Sequence, residues 1–506
     1  MPFRTGFFPP KWEKIYETKK DLLMKMFPKL FSAGGIGSLG LANRVIKSPM
    51  YTGMSGVDGV VTDRLVGHYH RQASGGVSMV VVECAFIDGF GAKTMQCHPG
   101  ISNDGFIPGL TRLAKSIREA GAVPAIQIGY TYCPKLSDVG AELKDIVSAF
   151  GNAAARAKSS GFDLVEICGF DGQGMEGAFS EILADIRAKA GAEYSVAAFI
   201  SGVESKTGEG FAEKAVGLSK ALEVHGADAL RIVGDGFAAK VKEAVGIPVI
   251  ASDSVCRPET AEDVILSGKG DFVSLGRLLR ADHRWVAKAA NGCPEDIRPC
   301  ICCNENCVDG SYVPFKYQVV TCTVNPVIGR ENELEITSAE VKRNIAVAGG
   351  DIAGFEVARV LKLRGHDVTV YENGFSGERI FEAVPPDIRV GVEALWNYMV
   401  TAVKKLDIPV MDEEVSADIL SGYDAVVAWA TDGQVYSEHI TKTGDSICAS
   451  AAPFEIVENA VRTHSGGREA NKGETPGQEG AKRDTALSPA KIMDAVHTAY
   501  RLALKL

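Results

Sequence analysis

Five of the twelve cysteines crowd into one short segment of the 506-residue chain, at Cys300, Cys302, Cys303, Cys307 and Cys322. The spacing Cys300-x2-Cys303-x3-Cys307, with Cys322 returning in CTVNP, supplies four soft thiolates from one loop and one later segment. Four such ligands can enclose an iron–sulfur cluster or a tetrahedral zinc ion. The spacing favours Cys300 and Cys303 over Cys302 as ligands. Buried free cysteines are the remaining alternative.

A second motif, IAVAGGDIAG, has the order of a dinucleotide-binding fingerprint. An apolar run opens onto a helix whose N-terminus would face a pyrophosphate, and Glu372 follows at the distance of the acid that binds the ribose. Asp351 stands where the fingerprint has the glycine that admits the pyrophosphate, between Gly349 and Gly354. The aspartate could cap the helix instead, which would leave a unit kept for packing alone.

The chain before the cysteine segment contains eight short β-rich runs. From Asn43 onward these runs alternate with amphipathic stretches. Because each parallel strand needs a crossover helix, this alternation predicts an α/β fold with a closed (β/α)8 TIM barrel. A doubly wound open sheet is the alternative. The predicted strands lie around Val45–Met50, Met79–Cys84, Val123–Ile128, Leu164–Cys168, Tyr194–Ile200, Ala229–Val233, Pro248–Ala251 and Phe272–Leu275.

The pattern changes after the barrel and predicts several parts along the chain. The polar stretch SGGREANKGETPGQEGAKRDT has almost no apolar residue, so it cannot offset its ordering entropy and is predicted to be a mobile loop. The predicted organisation is an N-terminal extension at 1–27, a barrel at 28–292, a cysteine-cluster segment at 293–342 and a shortened Rossmann-like unit at 343–506 with the mobile loop at 465–485.

Charge and hydropathy exclude several classes of partner. The formal net charge is −10 and the isoelectric point is near 5.5, so the chain lacks the basic footprint of a nucleic-acid-binding protein. The first residues form no apolar signal core, and no stretch offers 18 uninterrupted apolar residues. We therefore expect a cytoplasmic protein that neither binds nucleic acid nor spans a membrane.

Five modules, in order, resemble those of the old yellow enzyme / 2,4-dienoyl-CoA reductase family: PKLFSAGGIGSLGLANRVIKSPM, HYHRQASGGVSMVVVE, RPCICCNENC, CTVNP and IAVAGGDIAG. The resemblance runs from about Phe27 to the C-terminus. It implies FMN at the barrel mouth, a [4Fe-4S] cluster on Cys300, Cys303, Cys307 and Cys322, and FAD in the Rossmann-like unit, with NAD(P)H as the electron source.

The resemblance also assigns residues to the two flavins. Positions that match FMN contacts are Pro49, Met50, Tyr51, Ala85, Gln127, Gly276 and Arg277. Positions that match FAD contacts are Gly349, Gly354 and Glu372. Because Asp351 adds charge and bulk in that loop, we expect weak FAD binding or none.

Departures from the family lie at the barrel mouth. The fifth strand, SVAAFIS, lacks the arginine that faces the flavin in the family and offers Ala197, Ala198 and Phe199 instead. Asp253 with Ser254 replaces a glycine pair near the FMN phosphate, which predicts weakened FMN binding. The histidine after the fourth strand is replaced by Cys168. With no histidine there, Tyr130 and Tyr132 are the candidate proton donors.

The resemblance predicts an NADH:flavin oxidoreductase that reduces the activated C=C bond of a small enoate, enone or enoyl-CoA. The alternative is a catalytically reduced, flavin-poor subunit, which keeps the iron–sulfur cluster for assembly or electron transfer with an intact flavoprotein or another electron-donor partner. The chain could also form a homo-oligomer.

Overall fold

A computed structural model describes most of the chain, and it divides into two compact units. The first comprises the residues up to Ile297 together with Asn306–Val320, and the second comprises Arg298–Glu305 and Thr321–Leu506. The cysteine-cluster segment expected at 293–342 is therefore shared between the units. The described residues are 26–89, 96–129, 143–168, 178–201, 211–234, 236–252, 255–307, 319–372, 381, 384–413, 419, 422–429, 439–443, 446–451 and 489–506.

The first unit is built on a closed parallel barrel. Each of the eight predicted strands is found within a few residues of its expected position. They are β3 (Val45–Lys47), β4 (Met79–Phe86), β5 (Val123–Gly129), β6 (Leu164–Cys168), β7 (Ser195–Ser201), β8 (Ala229–Val233), β9 (Val249–Ala251) and β10 (Phe272–Leu275). These strands pair in the order β10-β3-β4-β5-β6-β7-β8-β9, which closes the sheet on itself and excludes the open-sheet alternative.

Helices follow the barrel strands and cover the outside of the sheet. The first helix is capped by Thr62, the residue before it, whose side chain accepts a hydrogen bond from the amide of Leu65. It is followed by Gly75 and by Gly76, whose φ of +98° suits glycine. The helices of this unit are α1 (Asp63–Ser74), α2 (Ile107–Glu119), α3 (Leu143–Ser159), α4 (Ala178–Ala190), α5 (Phe211–Val224), α6 (Phe237–Ala244), α7 (Pro258–Leu266), α8 (Arg277–Ala281) and α9 (Trp285–Ala290), with short 3-10 turns at Asp104–Phe106 and Pro294–Asp296.

An antiparallel hairpin, β1 (Gly34–Ile36) and β2 (Leu39–Leu41), packs against a layer of apolar side chains inside the barrel. Its buried Ile36 and Leu41 pack with inward-facing residues that lie near the start of the strands. Those residues are Ile46, Met79, Val81, Ala125, Leu164, Ala197, Ala229, Ile250 and Phe272. This end of the barrel is a packed core, so chemistry is left to the carboxyl ends of the strands.

The second unit contains a mostly parallel sheet with helices. Its elements are β11 (Asn344–Ala348), α10 (Ile352–Leu363), β12 (Asp367–Tyr371), α11 (Pro386–Lys405), β13 (Val410–Met411), β14 (Ala425–Trp429), β15 (His439–Thr443), β16 (Ser446–Ala451) and α12 (Pro489–Lys505). The sheet order is β13-β12-β11-β14-β16-β15, with β15 alone antiparallel. The first three strands in sequence lie side by side and the fourth pairs on the other edge of β11, which is the strand order of Rossmann-type units.

Several expectations lie outside the described residues. These are almost all of the N-terminal extension and the whole of the loop predicted to be mobile at 465–485. Within the part of the chain that the structure covers, no helix combines the length and the apolar character needed to cross a bilayer.

Candidate active site

The inner face of the barrel turns from apolar to polar one layer above its core. Successive inward-facing residues of a strand are two positions apart. Since Ala125, Leu164 and Ala229 belong to the apolar layer, the residues two positions further along β5, β6 and β8 face inward nearer the carboxyl ends. These residues are Gln127, Glu166 and Arg231. The layer where a barrel holds its chemistry is thus polar and charged.

Glu166 is the centre of this polar layer. Its carboxylate accepts two hydrogen bonds from Arg231, at 2.7 Å from Nε and 2.8 Å from Nη2, and a third from Nε2 of Gln127 at 2.7 Å. The charged side chains are almost completely withdrawn from solvent, with 1% exposure for Glu166 and 5% for Arg231. A bidentate pair at this depth is strong and geometrically fixed.

Arg231 was not recognised as a site residue from the sequence. The fifth barrel strand, β7, does lack the expected arginine, but the guanidinium of Arg231 on the next strand lies 4.0 Å from the ring centroid of Phe199 on β7. A positive charge is therefore present beside that position. The sequence does contain a sign of this residue. Arg231 is the one charged residue in the apolar run ALRIV, and it lies two positions after Ala229, so both side chains face the barrel interior.

A second buried polar cluster lies where β3 and β4 end. Glu83 accepts hydrogen bonds from Thr52, at 2.9 Å from the amide and 2.5 Å from Oγ1, and burial raises its pKa to about 7. Lys47 is also buried, which lowers its pKa to about 7, and its Nζ donates to the carbonyl of Ser48 at 2.6 Å. Both groups can therefore change charge near neutral pH.

The predicted FMN-contact residues lie on four neighbouring strands. Pro49, Met50 and Tyr51 follow β3, Ala85 is on β4, Gln127 is on β5, and Gly276 with Arg277 follows β10, and these strands are consecutive in the order β10-β3-β4-β5. Hydrogen bonds join the carboxyl ends of β3 and β10. The amide of Ser48 donates to the carbonyl of Leu275 at 2.9 Å, and the hydroxyls of Ser48 and Ser274 lie 2.5 Å apart. The structure thus brings these residues to one arc of the mouth.

Gly276 lies close to the side chain of Met50 within this arc. A Cβ on Gly276 would lie 2.5 Å from Sδ of Met50, so the side chain after β3 occupies the space that the glycine leaves. Arg277 is exposed, whereas the buried Arg280 donates to the carbonyl oxygens of Tyr51 and Cys307, the latter at 2.6 Å. Arg280 therefore ties the loop after β3 to one of the predicted cluster cysteines.

Other predicted mouth residues cannot be placed. Tyr130, Tyr132, Asp253 and Ser254 lie outside the described residues. Ser252, at the end of β9, is described, and its hydroxyl is buried with no hydrogen-bond partner among the described residues. That hydroxyl could bond a polar group of a ligand in the mouth.

The cysteine segment shows local order around two of its sulfurs. The amide of Cys302 donates to Sγ of Cys300 at 3.4 Å, and Sγ of Cys303 lies 3.2 Å from Oγ1 of Thr323, the neighbour of Cys322. The described residues contain no group of three or more His, Cys, Asp or Glu side chains spaced to hold a metal ion. The four-cysteine site therefore stays a prediction.

The dinucleotide-like loop of the second unit is closed by its own aspartate. Asp351 is the N-cap of α10, where Oδ1 accepts the amide of Gly354 at 2.8 Å, and burial raises its pKa to about 6. A Cβ on Gly354 would lie 1.9 Å from the carbonyl oxygen of Gly349, so helix and strand pack closely there. Glu372 follows β12 and lies against Gly350. The amide that could bind a pyrophosphate is already bonded.

Comparison with known proteins identifies the first unit. The NADH:flavin oxidoreductase / NADH oxidase family model matches residues 29–135, and a metal reductase of Desulforamulus reducens is 32% identical over 448 residues, covering 75% of this chain and 66% of the relative. The chain belongs to the NADH:flavin oxidoreductase family. A cinnamate reductase of Clostridium sporogenes is 27% identical, covering 74% of this chain and 69% of its own.

Solved structures of similar fold cover both units. The complex of 2-naphthoyl-CoA reductase with 2-naphthoyl-CoA superposes with a TM-score of 0.73 at 22% identity, over 83% of this chain and 75% of that one. At this identity the likeness shows the fold. The match to the metal reductase spans just under two thirds of the length of that relative.

Proposed function

We propose that the chain is a flavin-dependent reductase of an activated C=C bond, in a small enoate, enone or enoyl-CoA. The observation that carries the proposal is the contiguous arc of predicted FMN-contact residues on β10, β3, β4 and β5, beside a charged inner layer. Family membership supports the flavin, and the names of the cinnamate and 2-naphthoyl-CoA reductases support the substrate class.

The residues of the mouth fit FMN. The hydroxyl of Ser252, which has no partner among the residues that the structure describes, offers a hydrogen bond, and Gly276 keeps the backbone free of a side chain opposite Met50. Gln127 and Arg231 line the inner layer, where hydrogen bonds to Glu166 fix both side chains. We propose that the exposed Arg277 binds the phosphate, because a guanidinium matches phosphate geometry.

Bound FMN would supply the hydride that adds to the electron-poor carbon of the C=C bond. Arg231 would contribute to the electrostatic environment of the flavin as it gains electrons, in part offset by its partner Glu166. It would need no reorganisation because Glu166 and Phe199 already hold the guanidinium. Tyr130 and Tyr132 are the proposed donors of the proton that completes the reduction.

FAD does not fit the second unit. The side chain of Asp351 caps the helix whose N-terminus would receive the pyrophosphate, and its carboxylate would repel that group when ionised. We therefore propose no electron route through FAD, and reducing equivalents would reach FMN from the cluster or directly from a donor.

The test of this function is anaerobic purification followed by flavin extraction and turnover. We expect near-equimolar FMN and little FAD in the extract, and reduction of cinnamate or crotonyl-CoA by the protein with a reduced viologen as electron donor. A protein that contains iron and sulfide but neither FMN nor activity would reject the reductase and support the alternative of an electron-transfer subunit.

We propose further that Cys300, Cys303, Cys307 and Cys322 bind a [4Fe-4S] cluster. Four soft thiols suit iron–sulfur chemistry, and the amide bonded to Sγ of Cys300 is the kind of donor that stabilises a thiolate ligand. Purified protein should contain iron and acid-labile sulfide in near-equal amounts. Cys303→Ser should lose most of both.

The neighbouring cysteine provides a matched control. Cys302 is exposed and is the cysteine that the spacing does not favour as a ligand, so Cys302→Ser should retain iron and sulfide at the level of the unchanged protein. Stoichiometric zinc without sulfide would show a structural zinc site instead. Equal losses in the two variants would mean that the ligand assignment is wrong.

A further inference from the structure

Two buried cysteines from different strands meet at the barrel mouth. Sγ of Cys84 on β4 lies 3.2 Å from Sγ of Cys168 on β6, and their exposures are 8% and 6%. Neither belongs to the cysteine-cluster segment. Both lie at or near the carboxyl end of their strand, in the layer above the Glu166–Arg231 pair.

Two features of the sheet bring these sulfurs together. The pairing of β4 with β5 shifts between Val82 and Ala85, so a bulge re-aims the residues between them, Cys84 included. The strand between the two cysteines carries Gly129, paired with Cys168, and a Cβ there would lie 2.8 Å from the Cys168 sulfur. The bulge and the missing side chain together leave room for both thiols.

The strand spacing opposes a direct disulfide. Because β5 lies between β4 and β6, the backbones stand about 9 Å apart, twice the spacing of neighbouring strands. A disulfide needs Cα atoms within roughly 7 Å of each other. Each side chain must therefore extend toward the other to bring the sulfurs to 3.2 Å. An atom bound to both sulfurs would link the two cysteines without any movement of the strands.

We propose that Cys84 and Cys168 form a two-thiol site that takes a thiophilic trivalent metalloid, of the arsenic(III) class, as a bridging ligand. With bonds of about 2.3 Å, the length of a Zn–S bond, an atom bound to both sulfurs at this 3.2 Å separation encloses an S–atom–S angle of about 90°. That angle suits trivalent arsenic, whose bonds are close to perpendicular, better than a tetrahedral ion. A ligand bridging the pair lies at the mouth and closes it to substrate.

The binding step needs no oxidant. The hydrogen bond to Cys168 and burial raise the pKa of Cys84, so this thiol enters the reaction with its proton. With phenylarsine oxide, the As=O bond breaks and two As–S bonds form. The oxygen leaves as water with the two thiol protons, and arsenic and sulfur keep their oxidation states.

Titration of the full-length reduced protein with phenylarsine oxide, followed by native mass spectrometry, tests the site. The unchanged protein is expected to bind one more equivalent than either Cys84→Ser or Cys168→Ser. That equivalent should resist removal by 2-mercaptoethanol and be released by dithiothreitol, because only a dithiol competes with two sulfur bonds at once. Digestion should yield an arsenic-bridged pair of peptides containing these two cysteines.

Cys97→Ser is the matched control, because Cys97 is a buried cysteine of the same unit and should bind as many equivalents as the unchanged protein. Cys84→Ala and Cys168→Ala provide a second pair in case the serine variants fail to fold. Equal binding by the unchanged protein and by every folded variant of this pair would overturn the proposal. A Cys84–Cys168 disulfide after treatment with diamide would overturn the bridging geometry. Neither outcome depends on whether FMN is bound, so the proposed reductase activity is tested separately.

Discussion

Replacing Arg231 by methionine is expected to lower the free energy of unfolding by about 3–5 kcal/mol, because the change leaves the carboxylate of Glu166 buried without its charge partner. The side chain of methionine keeps much of the apolar volume, so the loss reports the missing charge. Equilibrium unfolding in urea measures the change. FMN affinity is expected to fall at least tenfold in the same variant, measured by flavin fluorescence.

Two variants separate the buried charge from other causes. Arg231→Met combined with Glu166→Leu removes both charges and should recover most of the lost stability. Arg112→Met breaks an ion pair with Asp63 in which both side chains are at least half exposed, and should cost less than about 1 kcal/mol. A loss of stability in Arg231→Met as small as that in Arg112→Met would show that the buried pair does not stabilise the barrel.

The second large effect is expected at Glu356, on α10. Its carboxylate bonds Arg298 at 2.9 Å through both oxygens and Arg359 at 2.8 and 2.9 Å. Arg298 also donates to the carbonyl of Val324, two residues after Cys322, while Cys300 lies two residues after Arg298 itself. Glu356→Gln should therefore destabilise the unit by about 3 kcal/mol and lower the iron content.

The same residue predicts a pH dependence. Burial alone would raise the pKa of Glu356, but the adjacent Arg298 and Arg359 hold it at about 2, below the ordinary value of 4.5. A carboxyl whose pKa is lowered on folding stabilises the protein above its unfolded pKa. That stabilisation, about 3 kcal/mol, should be lost as the pH falls from 4.5 toward 2.

Unfolding in urea between pH 2 and pH 7 measures this loss. Glu356→Gln should show a flatter profile than the unchanged protein, since glutamine does not titrate. Glu333→Gln is the control, because the pair of Glu333 with Arg330 is largely exposed, and its profile should match that of the unchanged protein. Matching profiles for both variants would contradict the role assigned to Glu356.

The sequence by itself determined the barrel, because strand and helix periods are local properties. Runs such as Leu164–Cys168 and Ala229–Val233 were predicted with the bounds the structure has, and eight alternations allow few topologies. Motif order similarly indicated the family, which the comparisons confirm. Asp351 was recognised as a departure with capping as one outcome, and the cap is what the structure shows.

Only the tertiary structure decided which side chains meet inside the barrel. Glu166 and Arg231 are 65 residues apart, and Cys84 and Cys168 are 84 apart, so no local spacing relates them. Their contacts depend on strand register, since a shift of one residue would turn each side chain to the opposite face. Local sequence patterns predict that a strand exists, whereas the pairing of eight strands around a closed barrel sets the register that joins these residues.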